Sequence, residues 1–204
     1  NTINAQILDG TPLAQERVTF TVTTAAGGIT HYVVQMNASS TTAGTSKNVT
    51  VTAYDGNNNP VDDDVTQVDL SPNPGVGLVF GAANPITLTN GTFTTTVTAN
   101  TVQTYQVKAN THNLPSINGT GPAVTVVANT PAGTITASAT QNPITANGTS
   151  ITTITSGVIT DAYGNQVASG LNVNVSAGLG GVVVGGSPKQ IDATGRISFD
   201  LRSS

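Results

Sequence analysis

The chain holds two histidines, His31 and His112. An imidazole pair is a common proton shuttle and metal ligand near neutral pH. These two lie about 80 residues apart in different strand contexts, so neither a catalytic nor a metal pair is expected. A denser acidic group is Asp62, Asp63 and Asp64, with Asp55 and Asp69 to either side. Carboxylate oxygens so placed suit a hard cation such as calcium. Their spacing matches no EF-hand loop, so a solvated acidic loop is the simpler reading and no metal is assigned. Lys47, Lys108 and Lys189 raise a Lys–Asn cross-link, but no spacing singles out a pair. The glycines of 178–181 and 185–186 open no helix, so they cradle no phosphate; they read as turns around Val182–Val184. The serines lack the strand–turn–helix setting that exposes a nucleophile. No catalytic residue, no cofactor and no enzymatic activity are predicted.

One further chemistry is modification. Asn-x-Ser/Thr triplets occur at Asn37, Asn48, Asn90, Asn118, Asn147 and Asn174, each a candidate N-glycosylation acceptor. This composition yields about five by chance, so their number carries no weight. Position carries more. Asn174 stands between Val173 and Val175, so in a strand it points away from the core. Occupancy depends on the host.

The elements that hold these residues are strands. Only 8% of the 204 residues are charged, against roughly 25% in an average soluble protein. Net charge is −4, with 6 Lys plus Arg. That excludes a basic nucleic-acid footprint and a polybasic membrane patch. Thr, Ser, Asn and Gly fill the surface, which therefore hardly titrates. An extracellular, cell-surface location is expected. Cysteine is absent, so there is no disulfide framework or thiolate chemistry, which fits a prokaryotic surface protein. No apolar run reaches 18 residues, so no membrane insertion is expected, and no signal peptide opens the chain, so Asn1 reads as a mature or truncated terminus.

Apolar residues alternate with period 2 and no helical periodicity is sustained, the profile of an all-β sandwich. Residues 1–28 carry Ile3, Ala5 and Ile7, then Val18, Phe20 and Val22. Residues 29–128 hold strand patterns at Val49–Ala53, Phe93–Val97, Tyr105–Ala109 and Val124–Val127, with a hairpin dipeptide at Asn90-Gly91. Residues 131–204 begin a second copy. Asp55, Asn59 and Val61 recur as Asp161, Asn165 and Val167, 106 residues on, and Gly91 recurs as Gly195, 104 on. Extending the spacing of 106 sets Ala26–Thr30 on Ala132–Thr136, and Val18–Val22 on Val124–Ala128. On this register the chain opens with the last strands of one repeat and stops before the last strands of another.

The run Val-Thr-Val-Thr-Ala at 49–53, the turn Asp55–Val61, Gly91–Val97 and Tyr105–Ala109 resemble the bacterial Ig-like repeats of invasin/intimin-type surface adhesins. In the second copy Asp161–Val167 and Gly195–Leu201 carry the likeness, and the Tyr-x-Val-x-Ala element is missing. The resemblance implies two tandem Ig-like β-sandwiches, the C-terminal one lacking its last strands, in a cell-surface structural role without activity.

Two explanations of the phase remain open. In one, residues 1–28 are a donor segment that completes residues 131–204 of a neighbouring copy by strand addition. The donor residues are then Ile3, Ala5, Ile7, Val18, Phe20 and Val22, and the acceptor edge includes Ile197, Phe199 and Leu201. Such a head-to-tail contact builds an open filament, similar to archaeal and bacterial surface threads and pili, serving adhesion or cell–cell contact. In the other, the chain is a window of a long tandem array, a stalk or binding module of one adhesin. Its partners would be surface glycans or cells, although the aromatic residues that grip sugars are only 4% and scattered.

Overall fold

The computed structural model describes residues 2–5, 18–21, 26–74, 77–178 and 180–204, the first two stretches by backbone alone. No helix occurs among them. β1 (Thr2–Ala5) and β2 (Val18–Thr21) pair antiparallel, Ile3 opposite Phe20 and Ala5 opposite Val18. They form a two-stranded sheet of their own. Ile7 and Val22 lie outside the described residues.

The next strands are β3 (His31–Met36), β4 (Ser40–Thr42), β5 (Lys47–Tyr54), β6 (Gln67–Asn73) and β7 (Leu78–Phe80). β8 (Ile86–Thr87), β9 (Thr92–Ala99), β10 (Thr104–Thr111), β11 (Leu114–Thr120) and β12 (Val124–Val127) follow. One sheet runs β3-β5-β9-β7; the other runs β4-β12-β10-β6-β8, with β11 also on β10. The alternation legible in the sequence decides which side chains go in. Val49, Val51 and Ala53 of β5 face Val68, Leu70, Tyr105, Val107, Ala109, Val124 and Val126 of the other sheet, all buried. Thr50 and Thr52 point outward and meet Thr94 and Thr92 at 2.8 and 3.2 Å, while Ser46 meets Thr98 at 2.7 Å. The outer face of this sheet is thus a row of hydroxyl pairs rather than ion pairs.

Asn90 and Gly91 form the tight turn their types foretell. Both have positive φ, 48° and 71°, as a type I′ hairpin demands, and Thr89 and Thr92 exchange backbone bonds of 2.9 and 3.1 Å across it. A side chain at Gly91 would collide with the Val61 carbonyl.

The remaining strands are β13 (Ala137–Ala139), β14 (Ile151–Ser156), β15 (Asn172–Val173), β16 (Gly181–Val183), β17 (Lys189–Gln190) and β18 (Ser198–Ser203). The sheet β13-β14-β18-β16 repeats the order β3-β5-β9-β7, and β15–β17 repeats β6–β8. Even a corner bond recurs: Leu70 donates its N–H to Asn84 Oδ1 at 2.9 Å, and Val175 to Ser187 Oγ at 2.9 Å. Among the described residues, nothing in this half matches β4, β10, β11 or β12. Its core is correspondingly small: Ile159, Val167, Ile191 and Ile197, with Val173, Val175 and Phe199 packed against it.

The fixed spacing of 106 fails at the start of the repeat. Thr30 donates its N–H to the Tyr54 carbonyl, and the matching bond is Ala132 to Thr160. Thr30 therefore corresponds to Ala132, a spacing of 102 rather than 106. The similar strings Ala26–Thr30 and Ala132–Thr136 misled because glycine-rich linkers resemble one another at several registers, whereas backbone pairing admits one.

Candidate functional site

The groups singled out for chemistry are dispersed. His31 stacks on Tyr54 with ring centroids 5.7 Å apart. The His112 Nδ1 lies 2.8 Å from Asp69 Oδ2. Asp63 accepts the N–H groups of Val65 and Thr66, and Asp64 that of Asn90. Asp63, Asp64 and Asp69 each have partners of their own, and among the described residues no three His, Cys, Asp or Glu converge as metal ligands. Lys189 donates to the Val184 carbonyl at 2.9 Å. The sequon residues Asn37, Asn48, Asn90, Asn147 and Asn174 are exposed and Asn118 is half-buried. Asn118 spends its Nδ2 on the Pro115 and Ser116 carbonyls, both at 3.2 Å.

What the fold does present is a groove. Ile135, Ala137, Ile154, Ser156, Ile197 and Phe199 line one wall and Val173, Asn174, Val175 and Ser176 the other, around about 260 Å³. In the first sandwich the same space is filled by Tyr105, Val107, Val124 and Val126, each at most 1% exposed. There Val68 and Leu70 of β6 are buried at 0% and 3%; their counterparts Val173 and Val175 are half-exposed. Ile135, on the groove wall, is exposed as well. Apolar side chains patterned for burial stand open because the strands that would cover them have no counterpart among the described residues of this half.

The expected acceptor edge requires correction at Leu201. Ile197 precedes β18, and Phe199 and Leu201 lie on it; β18 is bonded to β14 on one side and β16 on the other. Leu201 is therefore bonded on both sides, whereas Phe199 pairs with Ile154 of β14 and with no residue of β16. Ile197 and Phe199 contribute a face of the groove, and Leu201 sits further along beside Ile144, Ala146 and Ala177. Period 2 reveals which face a residue takes but not which strands flank it. The backbone edge facing the groove belongs to β15, which pairs only with β17 among the described residues.

A second constellation, unforeseen as a unit, joins the two halves. Asp161 Oδ1 accepts the N–H groups of Tyr163 and Asn165, both at 2.9 Å, and Oδ2 accepts the Asn129 N–H at 2.9 Å. Asn165 holds Asp161 with its side-chain Nδ2 and also donates it to the Asn100 carbonyl at 2.8 Å. Its Oδ1 accepts the Val102 N–H at 3.0 Å. Asn129 donates its own Nδ2 to the Ala43 carbonyl at 3.0 Å. Tyr163 lies against Gly44, where any side chain would collide with its ring. Burial pushes the Asp161 carboxyl up, but the bonds from Asn165, Asn129 and Tyr163 outweigh it and hold it at about 2. Asp55 repeats the cap. It accepts from Asn57, Asn59 and, on Oδ2, the Gly27 N–H at 2.9 Å. The N–H groups of Asn59 and Gly27 hold its carboxyl well below the usual range. The repeated Asp-x-x-x-Asn spacing was the signal; its service to the incoming linker was not legible.

No protein-family model matches the chain, and no curated protein matches it in sequence. Solved structures share its fold. FdeC, an Escherichia coli adhesin, superposes with a TM-score of 0.55 at 19% identity, over 92% of this chain and 59% of that one. Yersinia pseudotuberculosis InvD gives 0.50 at 15% identity, over 92% and 57%. The chain thus spans less than two thirds of either. At the level of fold, the likeness agrees with the resemblance to Ig-like surface repeats carried by the sequence.

Proposed function

We propose that the chain is a structural, non-enzymatic segment of an extracellular cell-surface filament, assembled head to tail by donor-strand complementation and serving adhesion or cell–cell contact. The observation that supports this reading is a register. β1 and β2 pair with Ile3 opposite Phe20. β10 and β12 pair with Tyr105 opposite Val124. Both pairs are antiparallel, and their strands are separated by chain of similar length. The hairpin is therefore the kind of strand pair that fills the first sandwich and that the groove lacks.

The energetics are consistent with such a joint. Burying Ile3, Ile7, Val18, Phe20 and Val22 contributes about 1.5–3 kcal/mol each. Association costs about 4–15 kcal/mol. Apolar burial alone comes out near balance, and backbone pairing to β15, at about 0.5–1.5 kcal/mol per bond, tips it. A covered β15 edge also ceases to be an aggregation hazard. Adhesion is the role of FdeC, and the sparsely charged surface suits exposure outside the cell.

Removing residues 1–28 tests the reading. Sedimentation and negative-stain imaging of the full chain should give end-to-end polymers, and the shortened chain monomers that bind a peptide of residues 1–28 without lengthening. Polymers of the shortened chain, or a full chain that stays monomeric at all concentrations, would reject it. In that event a second reading stands, favoured by the greater length of the similar solved chains: a stalk or binding module of a tandem-repeat adhesin whose groove is filled by a following segment.

A further inference from the structure

The first sandwich contains one parallel pair among antiparallel neighbours. β4 runs parallel to β12, with Ser40, Thr41 and Thr42 opposite Thr125, Val126 and Val127. No tight turn can join parallel strands, and these two belong to opposite ends of the sandwich's chain. β4 follows the entry strand β3, whose first residues lie beside Tyr54. β12 is the exit strand, and its last residue lies beside Ala43 at the other end, where the Ala43 N–H meets the Val127 carbonyl at 2.9 Å.

Tension between entry and exit pulls β4 and β12 in opposite senses along their length. The bonds across the pair are then loaded together, and none opens before the rest. Peeling one strand from its end would break them singly. Thr125 adds a bond from its N–H to the Ser39 carbonyl at 3.0 Å. Asn129 carries the path onward, with its Nδ2 on the Ala43 carbonyl and its N–H on Asp161 of the next half. From this geometry we infer that β4, β12 and Asn129 form a shear clamp, and that the first sandwich serves to hold tension along the chain. The clamp works the same way whichever strands fill the groove.

The chain has no cysteine, so thiol handles can be placed singly for force spectroscopy on the whole protein. Gly28→Cys with Thr130→Cys pulls across the clamp. Thr45→Cys with Thr130→Cys pulls where both strands end and peels β12 away. At one loading rate the first geometry should require at least about twice the force of the second, because several bonds break at once. Thr125→Pro removes the N–H that meets Ser39 while its side chain stays exposed; it should lower the force in the first geometry more than in the second. Equal forces in the two geometries overturn the inference, as does a Thr125→Pro chain that folds and loses no force in the first. The comparison of geometries alters no strand residue, so it decides even where the proline variant fails to fold.

Discussion

Asn165 donates its side-chain amide to the Asn100 carbonyl at 2.8 Å while its Oδ1 accepts the Val102 N–H at 3.0 Å. One amide thus answers a donor and an acceptor on the preceding sandwich and still grips Asp161. Asn165→Ala should cost the second half about 1–3 kcal/mol, two or three bonds at the usual net value. It should also broaden the particle's maximum dimension in small-angle scattering. Asn165→Asp keeps the size but turns an acceptor toward Asn100 and sets a second charge beside Asp161, so it should cost at least as much. Unchanged midpoints and scattering in both variants would mean that these bonds hold nothing.

The caps set an acid limit. Asp161 falls from an ordinary 3.8 to about 2 in the fold, and Asp55 is lowered too. A depressed folded value means the contribution is complete above the unfolded value and is lost as pH falls through the folded one. Urea midpoints should be flat from about pH 7 to 5 and decline between about pH 4 and 2. Asp161→Asn should lower the plateau and flatten that decline. A midpoint that instead falls as pH rises from 5 to 7 contradicts the assignment.

Two glycines separate strain from collision. Gly164 has a φ of 82° with open space around it, and Gly91 has a φ of 71° with the Val61 carbonyl in the way. Gly164→Ala should cost about 1–2 kcal/mol from backbone strain alone. Gly91→Ala should cost about 3 kcal/mol or more, because a backbone carbonyl must also move. Denaturant titration of the two variants checks the order.

In a host that glycosylates sequons, the accessible side-chain amides should be modified first. Asn48, Asn90 and Asn174 are exposed, and Asn118 must give up its bonds to Pro115 and Ser116. Site-resolved mass spectrometry should therefore find Asn118 the least occupied of the four. Full occupancy of Asn118 with none at the others reverses the expectation.

Much of this was legible in the chain. Val49, Val51 and Ala53 announced the inner face of a strand by alternation, and Asn90-Gly91 announced its turn by tolerance of positive φ. The repeat of Asp55 and Asn59 as Asp161 and Asn165 announced two matching turns. Other features were not legible, for physical reasons. Leu201 alternates as an edge strand would, but only backbone bonding shows it between β14 and β16. Asp161 looks like any turn aspartate until Asn129, 32 positions earlier, is seen to donate to it. The parallel contact of Thr42 with Val127 depends on a crossing between sheets that no local pattern encodes.

The paired hydroxyls of Thr50 with Thr94 and Thr52 with Thr92 have a consequence for where such a molecule can live. Ions shield charges, and a coat stitched by charges would slacken in brine and tighten in fresh water. A coat stitched by neutral hydroxyls has nothing to shield, so its outer sheet should keep the same firmness from dilute buffer to concentrated sodium chloride.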